Sequence, residues 1–376
     1  MLRRSLILLA LAACSASTPA VGDDAPDAAG VAPDAAPGSD AAIAPDAAGA
    51  APDAGPVLSL LSLSPASGGA SVGTTVKLTG TLFPNTVADV AVGGRSCTQI
   101  VWRGASEIDA RFPPVPLTEV GLKDVTVRFS DGRSLTLSQA FEYRFDEDSI
   151  VFVHGLAGSP ANWDSMVGRF KALGYPASML HAIRFADNFG SSTKNAAALA
   201  SFVSDVLVKT SAAKVDVVSH SMGGFAFRLF VKAGGATQVR DYVSLGGPHH
   251  GSSTANLVIG DGASELRPIY ACQGQSLNDL QFTLNGCLTS TGRTASEDET
   301  PAGVEDGGEI AYLSIYSDTD EAVQPVESAC LNQRFRNDCA DNLNVKVTNT
   351  GHLGLLSSQD VFDRSAAHLR RRNASR

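Results

Sequence analysis

VVSHSMGGF, residues 217–225, decides how the rest of the chain is read. Val215–Val218 is a short β-branched, buried-type strand, and Met222–Lys232 has the spacing of a helix. A serine between a strand and a helix sits on a sharp turn that throws its hydroxyl out at the top of a sheet. Strand and helix nearly touch there, so small residues are needed two positions to either side. The usual pattern is G-x-S-x-G; here Ser219 stands in place of the first glycine, a sterically mild departure. A serine that merely capped a helix would not need glycine at both 223 and 224. Ser221 is therefore the candidate nucleophile.

The pattern around this turn is α/β. Ile150–Val153 is a continuous apolar run ending in His-Gly, and Asn162–Leu173 has helical spacing (Trp163, Met166, Val167, Phe170, Leu173) closed by Gly174. Thr193–Val208 reads as a second amphipathic helix, followed by strands at Val215–Val218, Val239–Leu245, Ala311–Tyr316 and Leu343–Val347 and a terminal helix from about Gln359. Strands alternating with helices predict a mostly parallel sheet with helices on both faces. In such a sheet the residues just past the carboxyl ends of the strands converge on one edge, and four loops carry chemistry there.

One is the Ser221 turn. His154-Gly155-Leu156-Ala157-Gly158 follows the first strand, and its glycines let backbone approach a substrate. Acyl transfer develops charge on a carbonyl oxygen, so the Leu156 N–H, paired with the Met222 N–H, is the expected oxyanion hole. The next strand ends in Ser317-Asp318-Thr319-Asp320, where either carboxylate could hold a histidine in its working tautomer. In this architecture nucleophile, acid and base follow in the chain order Ser, Asp, His. Of seven histidines only His352 and His368 come after the candidate acids. His368 lies in the terminal helix among Ala and Arg, whereas His352 lies in the glycine-flanked loop Thr350–Leu356, so His352 is the expected base. His249 and His250 follow a strand on the same edge; lining an acyl pocket and bracing a polar loop are both open for them.

The stretches IVFVHGL (150–156), VDVVSHSMGG (215–224), SLGGPHHGS (244–252), DETP (298–301), IYSDTDEAVQP (315–325) and GHLGLL (351–356) resemble the bacterial α/β-hydrolase lipases, close to the Bacillus-type and actinomycete-type triacylglycerol lipases. They run through residues 149–370 in the family's order. The resemblance implies hydrolysis of carboxylic esters, with acylglycerol lipids as the substrate class, through an acyl-enzyme and with no metal or organic cofactor. The family places its acid before E-x-V, which selects Asp320 over Asp318, and it supports Leu156 and Met222 as oxyanion donors. Ala157 stands where relatives carry other residues, which leaves the pocket shape less defined.

Residues 252–309 are long for a loop in a compact domain. Their scattered apolar residues fit a cleft wall or lid as well as a disulfide-pinned surface excursion. After Cys14 five cysteines remain; proximity pairs Cys272 with Cys287 and Cys330 with Cys339 and leaves Cys97 over. None has zinc-site spacing, so no metal site is expected.

Upstream, residues 57–145 carry short alternating segments (Thr75–Thr79, Val87–Val92, Val125–Phe129, Ser134–Leu137) separated by Gly and Pro, which predicts a small antiparallel β-sandwich. SLSPASGGASVGTTVKLTGTLF (62–83) with VAVGG (90–94) resembles the immunoglobulin-like IPT/TIG module, which implies a spacer or binding role with a partner the sequence does not identify. Residues 14–56 form an expected disordered linker, with Pro-Asp-Ala at 26, 33, 45 and 52 and seven aspartates (23, 24, 27, 34, 40, 46, 53). Residues 1–13, with two arginines and a short apolar run, read as a signal peptide. Leu11-Ala12-Ala13-Cys14 resembles a lipobox, which implies acylation at Cys14 and an exported lipoprotein anchored at an outer membrane or cell surface. The domain order expected is thus signal peptide 1–13, linker 14–56, β-sandwich 57–145 and hydrolase 149–376.

The 376 residues are 44% hydrophobic and 18% charged, which suits a large buried core. Their formal charge of −10 argues against nucleic acid as a partner, and much of it belongs to the linker. A polyester or aryl-ester carboxylesterase is the alternative within enzymes, since a triad reads the carbonyl and not the alcohol. A catalytically weak surface protein that binds through the β-sandwich is the alternative from another class.

Overall fold

The computed structural model describes residues 56–254, 265–266, 284, 288–289, 292–293, 310–331, 339 and 343–374. The signal peptide, most of the linker with Cys14, and the Cys272 and Cys287 pair lie outside the described residues.

Residues 59–144 carry nine strands: β1 (Ser59–Ser64), β2 (Ser67–Gly69), β3 (Thr74–Thr81), β4 (Val87–Val92), β5 (Arg95–Ser96), β6 (Thr98–Gly104), β7 (Glu107–Phe112), β8 (Gly121–Phe129) and β9 (Ser134–Arg144). They form two sheets, ordered β1-β3-β7-β6 and β2-β9-β8-β4-β5. The alternation that predicted strands also sets which face is buried. Val76 and Leu78 of β3, Ile108, Ala110 and Phe112 of β7, and Val125, Val127 and Phe129 of β8 all turn into one shared cluster. Pairing is antiparallel except between β2 and β9, which run parallel. Cys97 is a buried free thiol in this core, and burial pushes its pKa up to about 12.

The second half is built on β10 (Ser149–Val153), β11 (Leu180–Ala182), β12 (Val215–His220), β13 (Val239–Leu245), β16 (Ala311–Ser317) and β17 (Asn344–Val347); between them β14 (Leu288–Thr289) and β15 (Gly292–Arg293) make a two-residue hairpin. The six strands form one sheet in the order β11-β10-β12-β13-β16-β17, parallel at every pair. Among the described residues four helices cover it: α1 (Asp164–Ala172), α2 (Ser192–Thr210), α3 (Gly223–Lys232) and α4 (Gln359–Ala374). Successive side chains of β10 point to opposite faces. Ile150 and Phe152 pack with Met166 and Phe170 of α1 and Phe362 of α4, while Val151 and Val153 pack with Leu199 and Val203 of α2 and Phe227 of α3. Burial on both faces is why Ile150–Val153 of β10 reads as an unbroken apolar run.

Observed boundaries fall within two residues of those expected for the helices and for the strands read in the parallel sheet, whereas β8 begins four residues before the expected Val125 and β9 runs seven residues past the expected Leu137. The edge strand β11 escaped sequence reading, because three residues, Leu-His-Ala, carry no period.

The two halves share a core. The cluster that fills the N-terminal sheets continues through Phe141 and Tyr143 to Tyr175, Phe170 and α4. Phe145 meets Tyr175 edge-on with centroids 5.2 Å apart. Beside them the Glu147 carboxylate, 7% exposed as a residue, accepts from Ser71 Oγ at 2.7 Å and from Arg370 Nε of α4 at 3.1 Å.

Candidate active site

Ser221 lies between the end of β12 and the start of α3, with φ at +53°. A left-handed conformation in a non-glycine residue costs on the order of 1–3 kcal/mol. The surroundings hold it: Ser221 N–H donates to Leu245 O at 2.9 Å, and Gly224 N–H donates to Ser221 O at 3.0 Å. A Cβ on Gly223 would lie 2.7 Å from Val153 O, so the second glycine of the motif is required by the approach of β10. The place of the missing first glycine has its own chemistry. Ser219 Oγ lies 2.7 Å from Tyr242 OH, and both groups are fully buried.

Asp320 and His352 are brought into contact. His352 Nδ1 donates to Asp320 Oδ2 at 2.8 Å, and the second carboxylate oxygen accepts the amides of Ala322 at 2.9 Å and Val323 at 2.8 Å. Asp320 is 2% exposed and His352 7%. Asp318 is turned away; its Oδ1 accepts the amide of Asn349 at 3.0 Å on the surface. His368 Nε2 donates to the carbonyl of Ala311, the first residue of β16, and so sits at the opposite edge of the sheet from the site.

Leu245 and Gly246 bring the serine turn and the Asp–His pair together. Leu245 O holds the Ser221 amide, and a Cβ on Gly246 would lie 3.1 Å from Asp320 Oδ2 and 3.3 Å from His352 Nδ1. Gly246 adopts φ +55°, so both its space and its conformation exclude a side chain.

Leu156 and Met222 line one small cleft together with His154, Gly155, Gly223, Asn188 and Asn195. Gly155 packs against the serine, its Cβ direction only 2.7 Å from Ser221 Cβ. Gly155 O accepts from Gly158 N–H at 3.1 Å and from His154 Nδ1 at 2.9 Å. In a planar trans peptide the C=O and the following N–H point in opposite directions. With its carbonyl turned toward His154, the Gly155–Leu156 peptide presents the Leu156 N–H to the other side. Burial lowers the His154 pKa, which keeps that ring neutral.

Sequence reading left two nearby residues unassigned, His220 and Glu321. His220 Nε2 donates to the backbone carbonyl of His352 at 3.1 Å, and the two rings lie 4.6 Å apart at their centroids. Burial, and secondarily the neighbouring His352, push its pKa down to about 3. Glu321 Oε2 accepts the His352 amide at 2.9 Å. Neither contact has a local signal, because the partners are far apart in sequence. His249 and His250 turn to protein partners: His249 Nε2 lies 2.9 Å from Ser244 Oγ, and His250 Nδ1 lies 3.2 Å from Ser328 O.

Of the long 252–309 segment, Leu266 and Leu284 pack with Met222 and Phe225, with Leu156 against the same cluster. Glu265 Oε2 accepts the Ser192 amide at the start of α2 at 2.9 Å, which suits a carboxylate at a helix N-terminus. Described parts of the segment thus border the cleft. Cys330 and Cys339 are disulfide-bonded, with Cα atoms 5.6 Å apart.

A parallel sheet with a serine on the strand–helix turn after β12, and an Asp–His pair from later strand ends in the order Ser, Asp, His, is the α/β-hydrolase arrangement. Within that class the chain belongs to the class 2 lipase family, whose pattern matches residues 147–352. It is similar to the triacylglycerol lipase of Pseudarthrobacter phenanthrenivorans, 31% identical over 115 residues that cover 29% of this chain and 35% of the relative. It is similar to that of Burkholderia plantarii to the same degree, over 29% of this chain and 32% of the relative. The chain thus spans about a third of the length of the curated relatives it matches. Among solved structures, the mature lipase BlEst2 of Bacillus licheniformis is 19% identical over 59% of this chain and 92% of its own, at a TM-score of 0.41.

Proposed function

We propose that the protein hydrolyses carboxylic esters, with acylglycerol lipids as the substrate class, through an acyl-enzyme on Ser221. His352 Nε2 takes the proton from Ser221 Oγ as the oxygen attacks the ester carbonyl carbon. Negative charge gathers on the carbonyl oxygen and is received by the Leu156 and Met222 amides, where each donor is worth about 3–4 kcal/mol. Collapse expels the alcohol, which takes its proton from His352. Water, deprotonated by His352, then attacks the acyl-enzyme, releases the acid and returns Ser221. Asp320 holds the imidazole tautomer and stabilises the imidazolium in both halves. No cofactor enters the cycle.

The observation that carries this reading is the Ser221 elbow at φ +53°, adjoining a cleft lined by Leu156 and Met222. Membership of the class 2 lipase family supports lipid esters. Wild type should release nitrophenol from nitrophenyl esters and Ser221→Ala should not; equal rates, or no turnover by wild type, remove the reading. A series from acetate to palmitate esters separates a lipase, which prefers long chains, from a carboxylesterase that prefers acetate.

We propose further that the protein is an exported lipoprotein acylated at Cys14, with residues 57–145 forming an IPT/TIG-like module. The support is the Leu11–Cys14 lipobox resemblance, the Asp- and Pro-rich stretch behind it, and the turn motifs at 62–83. Radioactive palmitate should label the wild-type chain in cells and leave Cys14→Ala unlabelled.

A further inference from the structure

We infer that His220 and Glu321 are positioning residues that hold the main chain of His352 from both sides, each anchored one residue away from another member of the triad. This rests on the reading of Ser221, Asp320 and His352 as a hydrolytic triad.

A ring bond to Asp320 fixes the orientation of the His352 imidazole but leaves the position of its backbone free. That backbone runs through Thr350-Gly351-His352-Leu353-Gly354, where glycines on either side offer little resistance to displacement. Two long-range hydrogen bonds supply the restraint. His220, next to the nucleophile, donates Nε2–H to the His352 carbonyl at 3.1 Å across 132 positions. Glu321, next to the acid, accepts the His352 N–H at 2.9 Å across 31 positions. A shift of the base away from Ser221 must strain the first bond, and a shift away from Asp320 must strain the second.

The chemistry of His220 suits this task. Its imidazole is buried, at 4% exposure. It stays uncharged when His352 takes the serine proton, because burial and its neighbour hold its pKa at about 3. A charged ring at a centroid distance of 4.6 Å would oppose the imidazolium that forms on His352. A neutral ring keeps its donor and adds no repulsion.

The test pairs a variant that lacks the donor with one that keeps it. His220→Phe should lower kcat by roughly 10²-fold with little change in KM, the cost of a base displaced by about an ångström. His220→Gln, whose amide can reach the same carbonyl, should regain most of that rate. The low-field proton resonance of the His352–Asp320 pair should broaden or vanish in His220→Phe and persist in His220→Gln. Unchanged kcat in His220→Phe, or equal losses in both variants, overturns the inference. If wild type turns over no ester, the functional reading fails. The resonance still decides positioning, and a signal unchanged in His220→Phe overturns it. Should the His220 variants fail to fold, Glu321→Ala against Glu321→Gln reads the same restraint from an exposed side chain. A loss of roughly tenfold in kcat, reversed by Gln, is expected, and equal rates in the two overturn it.

Discussion

Asp320 gives one carboxylate oxygen to the His352 ring at 2.8 Å and the other to the amides of Ala322 and Val323, while Asp318, two residues earlier, faces solvent and accepts the Asn349 amide. The two carboxylates therefore differ sharply in consequence. Asp320→Asn should reduce kcat by about 10⁴-fold through the wrong tautomer of the base. Asp318→Asn should stay close to wild type. Nitrophenyl ester kinetics on both variants check this, and a slow Asp318 variant beside an active Asp320 variant would reverse the assignment.

Gly246 separates two effects that glycine substitution usually mixes. An alanine there meets Leu355 Cδ1 at 2.8 Å and Asp320 Oδ2 at 3.1 Å, at φ +55°. Gly94 has φ +81° with nothing within 4 Å. Gly94→Ala should lose about 1–2 kcal/mol in denaturant melts and keep its kcat. Gly246→Ala should lose more than that and lose activity as well, because the methyl group pushes on the Asp–His pair.

Ser219 holds the place of the motif's first glycine, yet its hydroxyl is bonded to buried Tyr242 OH at 2.7 Å. Restoring the glycine should therefore harm stability and spare catalysis. Ser219→Gly is expected to cost about 1–3 kcal/mol, the range for a buried hydroxyl left short of a partner, with kcat near wild type. A melt that does not move would show the hydroxyl to be dispensable.

The buried neutral His220 sets a pH dependence. In the unfolded chain it takes a proton below about pH 6.5, whereas in the fold it resists until about 3. Between these values the unfolded state binds more protons, so stability falls as pH falls, by up to about 1.4 kcal/mol per pH unit from this group. The contribution is fully present above pH 6.5. Urea titrations from pH 7 to 4 should give a shallower slope for His220→Gln by one proton; identical slopes would contradict the burial argument.

The N-terminal sheets and the parallel sheet share one apolar cluster, and Glu147 bridges Ser71 and Arg370 beside it. A spacer on a flexible hinge would melt separately. The shared core predicts a single calorimetric transition, and Glu147→Ala should lower its midpoint through a loss of about 1–3 kcal/mol. Two resolved transitions in wild type would show that the halves are energetically independent.

Much of this fold was legible because its signals are local. The apolar run at 150–153 marks a strand buried on both faces, and Gly174 stops α1 where the period ends. Leu180–Ala182 was not legible, since a three-residue edge strand is defined by its partner β10 and not by any pattern of its own. At the site, loop position and chain order singled out Ser221 and His352. The residues alone left Asp318 and Asp320 both open, and the resemblance to lipases selected the one that meets the histidine. His249 and His250 lay on the right edge but turn to Ser244 and Ser328, a choice no spacing reveals.

The amino-acid sequence by itself determined the alternation of strands and helices, the sharp turn at Ser221 and the order in which Ser221, a pair of carboxylates and His352 arrive at one sheet edge. These follow from periodicity and from the steric demands of a strand–helix turn, which neighbours in sequence satisfy. Only the tertiary structure decided that Ser219 anchors Tyr242, that His220 and Glu321 grip the backbone of His352, and that both halves share a core. Those contacts join residues 23, 132 and 31 positions apart, and hydrogen bonds over such separations exist only once packing has brought the strand ends together.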